Sequence, residues 1–308
     1  MTQVVAAGNW SYAVVVADRR FTVDGQLVDE ADDERNKLLI VATPTTRLAV
    51  AFCGLARLGS FHTEAWLGQL LFEALNRGRY TPDLDWMCVR ATEDFARLPS
   101  ARATTSRLDP KCLWVLLAGF VSEREGAVPV YANFSNPIPS PTGIRAGPFH
   151  VEVNGPMRPA DRVVQRGFAM AFGAVLVERS HVDSLREIVD SDQPPSVAVG
   201  AAIRTVAAAR RTTQGRSLVG TRCGSAVVWL DRDRQPEGSY YGPRGASRHY
   251  MPTLVTRQGV ISDVVVERPS ARRTSPNADC PCGSGHPFRR CHGARSSSVR
   301  GVPPSKQS

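Results

Sequence analysis

Residues 2–22 read TQVVAAGNWSYAVVVADRRFT. Two apolar runs flank Gly8-Asn9, and the second ends on the charged trio Asp18, Arg19 and Arg20. Apolar strands around a short Gly-bearing turn are the strongest local hairpin signal, so a hairpin turning at Gly8-Asn9 is predicted. Working outward, Asp24-Gly25 marks a second hairpin, and Lys37 stands just before the strand-like LLIVA at 38–42. A further run, LAVAFC, ends at Gly54. The first fifty-odd residues therefore predict a meander with an acid, a lysine and a glycine at its strand ends.

These residues resemble the N-terminal sheet of the proteasome-type N-terminal-nucleophile hydrolases. The matching positions are Thr2, Asp18, Arg20 to Thr22, Lys37 and Gly54-Leu55; the Thr2–Asp18 spacing needs no insertion, and the segment between Thr22 and Lys37 is a few residues long for the family. The resemblance covers about the first quarter of the chain and is architectural beyond it. It implies an α+β fold, a four-layer αββα sandwich. It also implies that Thr2, exposed by removal of Met1, is the nucleophile. Its own α-amine, with an unperturbed pKa of ~8, can then act as base near neutrality. Lys37 stands beside the hydroxyl, Asp18 orients Lys37, and the N–H of Gly54 is the oxyanion donor. The segment at Thr22 pairs with an extended peptide by strand addition. Read singly, Thr2 is also what begins many strands, and Asp18 beside two arginines also fits a solvated strand end. Cys53 and Cys223 have no histidine at a suggestive spacing, which leaves a serine or cysteine hydrolase poorly supported.

Composition adds one point about Lys37. The chain holds 35 arginines and only three lysines, at 37, 111 and 306. Arginine stays charged at any working pH, whereas a buried lysine can lose its proton. A lysine kept where arginine dominates fits a chemical role, although three lysines must sit somewhere.

Beyond Gly54, helical spacing predicts one helix capped by Ser60 and closed by Gly78. A second is predicted with Thr81 as cap and Pro82 in its first turn, its face formed by Leu84, Cys88, Ala91 and Phe95. His62 and Cys88 read as core or helix-surface residues. Strands are expected at 112–122 and 127–135, followed by a Pro-rich loop, NPIPSPTGIRAGP, and a short run from Phe149 to Val153. Helical spacing returns at 160–178 and 195–211. A strand spans 225–230, and a last hairpin pivots on Gln258-Gly259. Active relatives hold the terminal amine with a serine and an Asp-x-x-Ser. Here Arg166-Gly167 stands at the first position; Thr212, Thr213 and Ser217 are the substitutes near the second, which lacks the aspartate.

The C-terminal part differs. Residues 268–279 read as a linker without apolar periodicity. Residues 280–293, CPCGSGHPFRRCHG, place two cysteines one residue apart and a Cys-His pair nine residues later. Three thiolates and an imidazole are a tetrahedral zinc donor set. The stretch resembles the SEC-C motif, a short zinc knuckle, with Cys280, Cys282, Cys291 and His292 as ligands of a structural Zn2+. His286 is expected at the surface. In proteins that carry it, the motif resembles a docking element for proteins or the ribosome. Residues 294–308 read as a disordered basic tail, and 1–267 as the main domain.

Residues 268–308, with eight Lys and Arg against Asp279 alone, carry +7 of the formal net charge of +9. A nucleic-acid surface has Arg289 and Arg290 in its favour but only Phe288 for stacking, so a solubilising tail is the better reading. With 42% hydrophobic and 22% charged residues the chain reads as globular and cytoplasmic, without a membrane span or secretory leader. Seven cysteines, clustered only at 280–291, suit a metal site in a reducing compartment better than a disulfide framework. Two functions remain open: a threonine-nucleophile amide or peptide hydrolase with a zinc-knuckle tether, or a non-catalytic scaffold of the same fold. In the second, the knuckle and tail bind a protein or ribonucleoprotein partner. Assembly into a homo-oligomer fits either.

Overall fold

Every residue of Gln3–Asn9 is buried, and so is every residue of Tyr12–Asp18. Strands that read as almost unbroken Val and Ala need cover on both faces, and this fold supplies it. The computed structural model describes residues 3–23, 26–28, 37–78, 81–99, 109–123, 126–141, 143–154, 167–173, 177–212, 219–220, 222–241, 247–249 and 252–261. In order these form β1 Gln3–Asn9, β2 Tyr12–Asp18, β3 Phe21–Val23, β4 Gln26–Val28, β5 Leu38–Ala42, β6 Thr46–Gly54, β7 Arg57–Leu58, β8 Phe61–His62, α1 Thr63–Arg77 and α2 Leu84–Arg97. The second half holds β9 Leu113–Glu123, β10 Gly126–Ser140, β11 Gly143–Asn154, β12 Gly167–Gly173, α3 Arg179–Asp190, α4 Pro195–Arg211, β13 Cys223–Trp229, β14 Glu237–Tyr241, β15 Ser247–His249, β16 Thr253–Val255 and β17 Val260–Ile261.

The strands make a six-stranded sheet, β12-β1-β2-β13-β14-β15, and a seven-stranded sheet, β11-β10-β9-β6-β5-β16-β17. A small sheet, β4-β3-β7-β8, lies apart from both. Period-two alternation distributes the apolar side chains into separate cores. Val4, Ala6, Val15 and Ala17 from one large sheet meet Leu38, Ile40, Ala51 and Leu116 from the other. Val5, Val14 and Val16 turn the opposite way, onto Leu185 and Val189 of α3 and Ala202 and Val206 of α4. Leu39, Val41 and Phe52 pack on Leu67 and Leu71 of α1 and on Met87 and Phe95 of α2. No helix among the described residues is long and apolar enough to cross a membrane.

Several expectations need correcting. The expected meander is split: β1 and β2 belong to the six-stranded sheet, β5 and β6 to the seven-stranded one. The first hairpin turns at Trp10-Ser11, where the Asn9 side chain accepts from the N–H groups of Ser11 and Tyr12 at 2.8 and 3.1 Å. Gly8 lies inside the strand because a Cβ there would meet the Phe168 ring at 2.8 Å and the Tyr12 carbonyl at 2.9 Å. Residues 167–173 of the expected helix at 160–178 are instead β12, paired antiparallel with β1. In GFAMAFG, Phe168, Met170 and Phe172 face the other sheet while Ala169 and Ala171 face the helices, a two-residue period. Helix α3, absent from the expectation, follows it.

The Pro-rich stretch is no loop but the outer half of the β10–β11 hairpin. Pairing with β9 ends at Ser135, so Pro137 and Pro139 sit where no donor is needed on that side. Helix caps also shift. His62, not Ser60, is the N-cap of α1, because Phe61 and His62 are taken up by β8. Asp83, not Thr81, caps α2, its carboxylate accepting from the Trp86 N–H at 3.0 Å. Helix α4 and the β16–β17 hairpin lie where the spacing places them.

Candidate active-site corner

Strand β2 ends on Asp18, whose carboxylate is fully buried. One oxygen accepts from the Gln3 N–H at 3.0 Å; the other accepts from the Arg20 N–H at 3.1 Å and from Lys37 Nζ at 3.3 Å. Lys37 also donates to the Arg20 carbonyl oxygen. The lysine immediately precedes β5, and its own carbonyl accepts from Phe52 of β6 at 3.2 Å. Asp18 and Lys37 thus tie the end of one large sheet to the start of a strand in the other. A buried ion pair survives only with its remaining hydrogen-bonding capacity filled; the strand-end backbone does that here.

Cys53, near the end of β6, lies close enough to feel this pair. Burial pushes its thiol up to about 12, with the Lys37 ammonium opposing only in part. Such a thiol stays protonated at neutral pH, so Cys53 is unsuited to be a thiolate nucleophile. Cys53, Cys88, Cys112 and Cys223 form no disulfide among the described residues.

Gly54 closes β6 with φ +103. A Cβ there would fall 2.2 Å from the Cys112 carbonyl oxygen, which accepts from the next residue's N–H at 2.9 Å. Only glycine fits both the left-handed backbone and that close approach. Thr22 lies in β3, where it pairs with Leu27 of β4. Val23, beside it, meets Arg57 of β7. Thr2 and the cluster Cys280, Cys282, Cys291 and His292 lie outside the described residues, as do Arg166, Thr213 and Ser217. Thr212 ends α4, its hydroxyl donating to the Ala209 carbonyl at 2.9 Å.

One residue escaped the sequence reading. Gln3 is fully buried, and neither its amide nitrogen nor its oxygen has a partner among the described residues. It stands opposite Gly173 of β12, and its backbone anchors Asp18. The signal was present: a glutamine at the head of a strand otherwise made of Val and Ala.

Residues 277–294 match the SEC-C motif. No curated protein matches the chain in sequence. Among solved structures the chain is similar to Anbu (ancestral beta-subunit) from Yersinia bercovieri, at 14% identity over 77% of this chain and 85% of that one, TM-score 0.45. The Anbu complex of Pseudomonas aeruginosa, solved as a helical assembly, gives 15% identity, 77% and 86% coverage and TM-score 0.47. The Gly-1 mutant of Anbu from Hyphomicrobium sp. strain MC1 gives 12%, 77% and 87%, and 0.45.

Proposed function

We propose that the chain is an N-terminal-nucleophile amide or peptide hydrolase of the proteasome type, in a four-layer αββα body, with a zinc-bearing SEC-C motif attached for docking. The buried Asp18–Lys37 pair, one backbone hydrogen bond from the residue that follows Thr2, is the observation that carries this reading. The three apolar cores, helices to sheet, sheet to sheet and sheet to helices, support the layering.

In the proposed reaction, Met1 is removed and the Thr2 hydroxyl attacks an amide carbonyl carbon. The hydroxyl proton passes to the Thr2 α-amine and then to the leaving nitrogen. The product is an ester on Thr2, which water hydrolyses to release the acid and restore the hydroxyl. Lys37 supplies fixed positive charge beside the oxygen, and Asp18 holds Lys37 in place. The Gly54 N–H stabilises the oxyanion, a contribution typically worth ~3 kcal/mol. The three cysteines and one histidine at 280, 282, 291 and 292 fit a structural Zn2+ by donor chemistry alone: soft thiolates, one imidazole, and glycines between the pairs.

A β-lactone or epoxyketone that traps N-terminal threonines tests the front end. Mass spectrometry should find one adduct on Thr2, abolished by Lys37→Ala. Retained Met1 together with no adduct removes the hydrolase reading. A specific observation favours the scaffold in that event. Strand β12, beside β1, reads GFAMAFG and offers neither serine nor aspartate to hold an amine.

A further inference from the structure

Between the C-terminal half of α4 and the start of β13 lies a cavity of about 520 Å3. That volume is within the range of small-molecule sites, roughly 300–1,000 Å3. Ile203, Val206 and Ala207 form an apolar wall, Cys223 also lines it, and Arg210 and Arg211 complete it. Adjacent helix residues point about 100° apart, yet both arginines reach this one space.

Some helical arginines have an acidic partner within their own helix. On α2, Arg90 and Arg97 pair with Asp94, and on α3 Arg179 pairs with Asp183. Arg210 and Arg211 make no ion pair or side-chain hydrogen bond among the described residues. A helix C-terminus favours a cation in its last turn, but that alone does not direct two of them to an apolar cavity. Two unpaired guanidinium forks beside an aliphatic wall match a molecule with an anionic head and an apolar body.

We infer that this cavity binds a small alkyl carboxylate or alkyl phosphate, its head between Arg210 and Arg211 and its chain against Ile203, Val206 and Ala207. This cavity is argued independently of the hydrolase reading. It is nevertheless close to the corner, because Cys223 stands directly across the strand pair from Asp18.

Titration calorimetry on the full chain with octanoate, octyl phosphate, octan-1-ol and octylammonium tests the inference. At least one anion should bind ten-fold or more tighter than both the alcohol and the amine, and the preferred anion identifies the head group. Arg210→Gln/Arg211→Gln, at exposed positions, should cost ten-fold or more while leaving the melting temperature unchanged. Ala207→Trp, which fills the space from the helix surface, should abolish binding. Equal affinity for octan-1-ol, full retention in the double glutamine variant, or no binding by either anion overturns the inference.

Discussion

The corner at Asp18 and Lys37 and the proposed zinc cluster from Cys280 to His292 call for opposite kinds of support. The corner exists because two large sheets bury it; its ion pair joins the end of β2 to the residue before β5, nineteen positions apart in sequence. The cluster is a short stretch of sequence without apolar periodicity, so under the proposed zinc reading its order would come from the metal. Long-range burial fixes a charge pair that would be worth little in water, whereas a metal bound at the proposed donor set would supply its own organising energy. Perturbing the two should therefore have separable consequences.

The largest effect belongs to the metal. Chelation, or Cys282→Ser, should lower zinc from one per chain to none and unfold residues 280–293. That removes a local folding free energy on the order of ~10 kcal/mol. Metal analysis and limited proteolysis check this, while the unfolding midpoint of the body should stay put; a fall in that midpoint would break the separation. Next comes Lys37→Ala, which strands the buried Asp18 carboxylate and should cost ~3–5 kcal/mol in urea unfolding. The double variant Asp18→Asn/Lys37→Met should recover most of that loss, because no charge is left behind.

Gly54→Ala forces a side chain into the left-handed region and against the Cys112 carbonyl, costing at least ~1–3 kcal/mol by the same assay. Gln3→Met should move the other way. Removing an unpartnered buried amide at nearly constant volume should stabilise the body by ~1–3 kcal/mol. The smallest effect is alkaline. Burial raises Cys53 from 9.0 to about 12, and Tyr12, buried near Asp192, from 10.0 to about 12. The folded state then holds protons that the unfolded chain gives up. Stability is complete below pH ~9 and declines toward pH ~12. Cys53→Ala should flatten the lower part of that decline.

The strand ends could be read directly: Asp18, Lys37 and Gly54 all lie at or beside the strand boundaries that apolar runs and turn residues predict. Their partition between two sheets could not. Val-Ala strands look alike whichever sheet takes them, and only long-range pairing sorts them. Residues 167–173 misled for a related reason: seven residues of Phe, Met and Ala satisfy a helical and a strand period almost equally. The prolines at 137 and 139 read as a loop because sequence cannot show where a neighbouring strand stops pairing. The zinc donors needed none of this, their spacing being complete within fourteen residues of sequence.

The strand that follows Lys37 is interior to its sheet only because β16 adds beside it in parallel, Thr253 meeting Leu39. A ribosome-bound chain that has not yet emerged as far as Thr253 leaves β5 as a bare edge, its backbone open on one side. That side of β5 is therefore closed late in synthesis, after nearly the whole body has been made.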